Sequence, residues 1–142
     1  MLYLLIIVSL FLHVWADFYK QGWLAQSKCK SWWREQEDCT YTNLDGVKKI
    51  LPLYKNDYWG ILMAHSIHWS FCVMLPSVIY GVLQTSNIEV FGSIVLAMFV
   101  TNTVFHSIID NLKANVTCIN LLQDQIIHIM QIILTINFLY FI

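Results

Sequence analysis

The chain predicts an all-helical membrane fold, an antiparallel bundle of about four transmembrane helices with one long polar loop. Three observations carry this. Of 142 residues, 58% are hydrophobic and only 12% charged, against about a quarter charged in a soluble domain. Four apolar stretches are each long enough to cross a hydrocarbon core of about 30 Å, which takes about 20 residues. Finally, most of the eight Lys/Arg and nine Asp/Glu gather between the first and second stretches, too localised to coat a soluble core.

The first segment is expected over 2–24, apolar at its start and amphipathic after Trp15. Its beginning, MLYLLIIVSLFLHVWADF, lacks the basic n-region and small-residue cleavage site of a secretory signal, so it reads as a mature helix. The polar loop over 26–57 follows, with a turn expected at Asn43–Gly46 and a break at Pro52. Segments two, three and four are expected over 59–83, 88–112 and 118–142, joined by short connections that suit an up-and-down bundle. Together they make one membrane domain over 1–142. Tyr3, Trp15, Trp23, Tyr58, Trp59, Tyr80 and Tyr140 read as interfacial aromatics.

Positive charge lies on one side. Lys20, Lys28, Lys30, Arg34, Lys48, Lys49, Lys55 and Lys113 all fall on the side of the long loop. The positive-inside rule then places that loop in the cytoplasm and both termini outside, in what would be a bacterial inner membrane. The sequon at Asn115 falls on the wrong side for glycosylation and reads as chance. The four cysteines, Cys29, Cys39, Cys72 and Cys118, fit no metal knuckle, and a reducing cytoplasm argues against a Cys29–Cys39 disulfide. No basic block with interleaved aromatics supports nucleic-acid binding.

Ionisable residues inside a bilayer are costly and default to functional hypotheses. Every segment carries a stripe of them: His13, Asp17 and Gln21 at spacing four; His65 and His68 at spacing three; His106, Asp110 and Lys113 at four and three; Asp124, Gln125 and His128, the outer pair at four. Such spacings hold side chains on one helix face. At about 1.5 Å per residue, the stripes lie roughly 9 to 20 Å from the loop side in all four helices. In an antiparallel arrangement this requires polar residues late in segments one and three and early in two and four, which is their order here.

Imidazole and carboxylate are the ligands of zinc, manganese and iron, and pairs at i, i+3 or i, i+4 present two ligands to one ion. The candidate metal ligands are His13, Asp17, His65, His68, His106, Asp110, Asp124 and His128, enough for a binuclear site. A divalent ion would also offset the buried carboxylate charge. Asp17 and Asp124 are the candidate catalytic bases. Lys113, at the rim, is placed to meet an anionic substrate group or to pair with Asp110 or Asp124.

The ordered motifs His13-x-x-x-Asp17-Phe18-x-x-Gln21, His65-x-x-His68, His106-x-x-x-Asp110-x-x-Lys113 and Asp124-Gln125-x-x-His128 resemble the uncharacterised family of small bacterial and phage membrane proteins called domain of unknown function 3307. The resemblance spans nearly the whole chain, although the loop over 26–58 is longer and more charged than that family leads one to expect. It implies a membrane site without implying a reaction.

The expected function is metal-dependent hydrolysis of a lipid or lipid-linked substrate reached from the cytoplasmic leaflet, by a chain that lives in the bilayer and has room to form a homo-oligomer. A proton or metal-ion transporter or channel would use the same residues. A third class is a phage-type interaction protein whose polar core is purely structural, held by interhelical hydrogen bonds worth about 1 kcal/mol each. Haem ligation fits poorly, because haem needs two histidines and no carboxylates beside the iron.

Overall fold

The structure, a computed structural model, describes residues 1–35, 39–51 and 56–142. Four helices are long and apolar enough to cross a membrane: Leu2–Tyr19, Tyr58–Gln84, Ile88–Val116 and Leu121–Phe141. The first consists of α1 (Leu2–Val14) and a π-helical turn over Trp15–Tyr19. Two short helices follow, α2 (Leu24–Ser27) and α3 (Lys30–Arg34), then strands β1 (Cys39–Thr42) and β2 (Lys48–Leu51). The remaining long helices are α4 (Tyr58–Gln84), α5 (Ile88–Asn111, prolonged by a π-helical Leu112–Val116) and α6 (Leu121–Phe141).

Polarity is inverted relative to a soluble protein. Phe11, Phe71, Leu96, Leu134 and Phe138 are exposed, whereas His13, His65, His106, His128, Asp17, Asp110 and Asp124 are all 5% exposed or less. Lipid tails would accept the first set and exclude the second. Small residues let the helices approach closely: Ser66, Ser70, Ser77 and Gly81 form two four-residue spacings on the buried side of α4, and Ser9 is buried on α1.

The cross-helix contacts change steadily along each pair. Between α4 and α5, Gly81 faces Phe91, Met74 meets Asn102, and His65 meets His106. Between α5 and α6, Lys113 meets Asp124, His106 meets His128, and Asn102 meets Thr135. His13 meets Trp69 and Asp17 meets His65 between the first span and α4. Every pairing brings the polar residues to one level. The apolar core occupies the other end and the centre, from Leu5, Trp69, Val73 and Met74 to Ile132, Ile136 and Leu139.

Three boundaries differ from the expectation. The first span ends at Tyr19 rather than near Leu24, because Lys20 leaves helical geometry and Gly22 takes a positive φ of 48°. The third span continues to Val116, where Thr117 turns left-handed with φ 57°. The fourth starts at Leu121, fixed by a capping box: Asn120 Oδ1 accepts from Gln123 N at 2.9 Å, and Gln123 Oε1 accepts from Asn120 N at 3.0 Å. Within the loop, β1 and β2 form an antiparallel hairpin. Its turn is the expected Asn43–Gly46: Asn43 Oδ1 accepts from Asp45 N and Val47 N, and Gly46 supplies φ 76°. The break expected at Pro52 and the charge of Lys55 lie outside the described residues, as does the Cys39 side chain. Cys29, Cys72 and Cys118 are free thiols.

Candidate metal centre

Both π-helical turns fall where the polar stripes reach the loop side. The one over Trp15–Tyr19 carries Asp17, and the one over Leu112–Val116 carries Lys113 and Asn115. A π turn inserts one residue into a helix and re-aims the following side chains, which is why such turns concentrate at functional positions. Gln21, beyond the break, returns to donate to Asp17 Oδ1 at 2.6 Å.

The centre of the site is His65 Nε2. It lies 3.2 Å from His106 Nε2, 3.2 Å from Asp17 Oδ1 and 3.4 Å from Asp110 Oδ2, while His106 Nε2 is 3.9 Å from Asp110 Oδ2. Four ligand atoms from these residues lie within 4.8 Å of one another. A tetrahedral ion with bonds of about 2.0–2.1 Å separates its ligands by about 3.3 Å. The four buried residues could therefore hold a metal ion.

A second group adjoins the first. Asp17, Asp124 and His128 also bring ligand atoms within 4.8 Å of one another, and Asp17 belongs to both groups. Its two oxygens face different ways: Oδ1 meets His65 and Gln21, and Oδ2 accepts from Gln125 Nε2 at 3.1 Å. His128 Nε2 stands 3.4 Å from Asp110 Oδ1 and 3.3 Å from Asp124 Oδ1. Asp124 Oδ1 has no partner in hydrogen-bond geometry although its residue is fully buried.

The surrounding hydrogen bonds run in a defined direction. Trp69 Nε1–H donates to His13 Nδ1 at 2.8 Å, which leaves the His13 proton on Nε2, 3.0 Å from Gln125 Oε1. The Gln125 amide then donates to Asp17 Oδ2 and, at 2.9 Å, to Asp124 Oδ2. One carboxamide thus holds two carboxylates side by side, each in its accepting form. Trp69 also stacks on His106, 4.1 Å between centroids and 17° between planes. One face of His106 is thus covered by the indole.

The sequence-selected residues fall into four sets. Asp17, His65, His106, Asp110, Asp124 and His128 come together as possible ligands. His13 is in the same cluster, but both of its nitrogens are engaged by Trp69 and Gln125, so it orients the carboxamide instead of facing an ion. His68 is placed elsewhere: it is half-buried, lies against Trp15 and reaches Cys72 Sγ at 3.6 Å. On α4, three residues turn the helix by about 300°, enough to swing His68 off the face that His65 presents. Lys113 pairs with Asp124 Oδ2 at 2.5 Å, with its side chain 23% exposed.

Lys28 is the residue that sequence reading passed over. It counts there as a solvated loop charge, yet it is buried and its Nζ lies 2.7 Å from Asp110 Oδ2. Asn115 holds it there. The Asn115 amide donates to Lys28 O at 3.1 Å and its Oδ1 accepts from Lys30 N at 2.6 Å. The cue lay in Gly22, which permits the chain to turn back after the first span. Trp69 and Asn115 likewise take structural roles that their residue types alone do not signal.

The chain matches no family model, no curated protein and no solved structure. Among the described residues, three buried carboxylates face two buried or half-buried ammonium groups, Lys28 and Lys113. One negative charge remains to be balanced, and a cation or a protonated imidazole would balance it.

Proposed function

We propose that this chain is an integral membrane protein that binds a transition-metal ion through Asp17, His65, His106 and Asp110, and that the metal serves hydrolysis of a lipid or lipid-linked substrate. The observation that carries metal binding is the spacing around His65 Nε2, three ligand atoms at 3.2–3.4 Å, close to the edge of a metal tetrahedron. Zinc, manganese and iron all use such imidazole and carboxylate donors.

A bound ion would lower the pKa of a coordinated water toward about 7. Asp124, with one oxygen lacking a hydrogen-bond partner, is then the candidate base, and Asp17 is the bridging ligand toward it. Lys113, the most exposed member of the cluster, is the group that an anionic headgroup would reach. An apolar groove of about 610 Å³ runs along α5 and α6, lined by Met98, Phe105, Met130 and Leu134, with Asn102 and Gln131 in its wall. These two lie one helical turn from His106 and His128, which supports a substrate with a long apolar chain. We read the helices as an antiparallel bundle with the loop in the cytoplasm, and retain the resemblance to domain of unknown function 3307 as part of this proposal.

Elemental analysis of detergent-purified protein tests the binding step, with at least one ion per chain expected and loss of that ion in a His65→Ala/His106→Ala variant. Release of a headgroup from lipid vesicles, abolished by Asp124→Asn with metal retained, tests the hydrolytic step. A second reading, proton or metal-ion transport, is favoured by the continuous hydrogen-bonded chain from Trp69 through His13 and the half-buried Gln125 to Asp17 and Asp124. Ion flux into proteoliposomes without lipid turnover would select it.

A further inference from the structure

Lys28 enters the helical core from outside the four long helices. It follows the four-residue α2 and is anchored by backbone as well as side chain, since Asn115 on the π-helical end of α5 grips Lys28 O and Lys30 N. Asn115 is itself braced, its amide donating to Asn111 Oδ1 at 3.0 Å. Lys28 is only 4% exposed.

The ammonium does not pair with a spare oxygen. Asp110 Oδ2, which it contacts at 2.7 Å, is the oxygen that faces His65 and His106. The other oxygen, Oδ1, turns to His128. A divalent ion bound to Oδ2 at about 2 Å would stand no more than about 5 Å from the Lys28 nitrogen. In a buried site two cations at that separation repel strongly and little solvent screens them. The same carboxylate left without either cation would be an unpaired buried charge. One cation or the other is therefore favoured at this oxygen.

We propose that Lys28 is a built-in counter-ion that occupies the metal's place at Asp110 and withdraws when the metal binds, so that the α2 segment acts as a latch over the site. This rests on the metal-binding reading above. Lys28 in this role regulates access and occupancy and takes no part in any chemical step. The flanking geometry suits withdrawal: Gly22, at a positive φ of 48°, precedes α2, and α2 is a single turn.

Two measurements on the full-length protein in detergent test the latch. In the first, Zn²⁺ and Mn²⁺ are each titrated against a chromophoric chelator for wild type, Lys28→Met and Asn115→Ala. At least tenfold tighter binding is expected in Lys28→Met, and a smaller gain in Asn115→Ala, which keeps the charge but loosens its anchor. In the second, wild-type protein is treated with an amine-reactive ester, and labelling at each lysine is read by mass spectrometry. Saturating Zn²⁺ or Mn²⁺ is expected to raise labelling of Lys28 at least fivefold while leaving the exposed Lys48 unchanged, and to have no effect in His65→Ala/His106→Ala. Metal binding with equal affinity in wild type and Lys28→Met, and with Lys28 still protected, overturns the latch and leaves the metal site standing. Failure of both ions to bind any of these proteins overturns both proposals.

Discussion

The two ends of the helices are built on opposite principles. Toward the α4–α5 connection, Gly81 lets the Phe91 ring lie directly on the α4 backbone, and Tyr80 stacks on Tyr140 with 9° between planes. That end needs only shape. Toward the loop side, two lysines, three aspartates and four histidines share one buried network. In a bilayer, apolar helices gain little by leaving lipid for one another, so packing and hydrogen bonds must hold them. The packed end uses residues that lipid would tolerate equally well. The charged end places groups where lipid would reject them, and an expense of that kind points to a role beyond holding helices together.

Breaking the charged end is expected to have the largest effect. Asp110→Ala leaves Lys28 buried without its partner, and removing one member of a buried pair costs about 3–5 kcal/mol. Thermal unfolding in detergent should show a large fall in midpoint together with loss of bound metal. The double variant Lys28→Met/Asp110→Leu removes both charges and should recover much of the stability but none of the metal. Recovery of metal in the double variant would remove Asp110 from the ligand set.

At the packed end, Gly81→Ala would place a Cβ 2.1 Å from the Phe91 ring. Forcing the ring aside should cost about 1–3 kcal/mol with metal content unchanged, and Phe91→Ala in the same chain should relieve part of that cost. A smaller effect follows from Asn120→Ala, which removes the capping box at the start of α6 and should cost about 1 kcal/mol, again with metal retained. The smallest is expected for His68→Ala. His68 faces Trp15 and Cys72 rather than the cluster, so stability should change by about 0.5 kcal/mol or less and metal content not at all.

Much of this contrast is legible in the sequence. Hydropathy alone marks four stretches able to cross a membrane, and the polar stripes bring Asp17 to His65, and Asp110 to His65 and His128, on neighbouring helices, as their common depth predicts. What one-dimensional spacing misses is rotation and return. His65 and His68 are three apart, and a core site admits only one of them, a choice made by how α4 is turned against the first span. Lys28 sits in a polar stretch and reads as solvated, because the reversal through Gly22 and the grip of Asn115 are contacts between segments 87 residues apart. The hairpin of β1 and β2 is visible only at its turn, where Asn43 and Gly46 carry the signal, since its strands are short and lack clear alternation.

The metal content of the purified chain by elemental analysis, compared with folded His65→Ala/His106→Ala protein, decides whether the charged end is a metal site. The prediction is at least one zinc, manganese or iron ion per chain in wild type and less than a tenth of that in the double variant. Equal, substoichiometric metal in the two proteins after incubation with each ion would contradict it and return the histidines and aspartates to a purely structural or proton-carrying role.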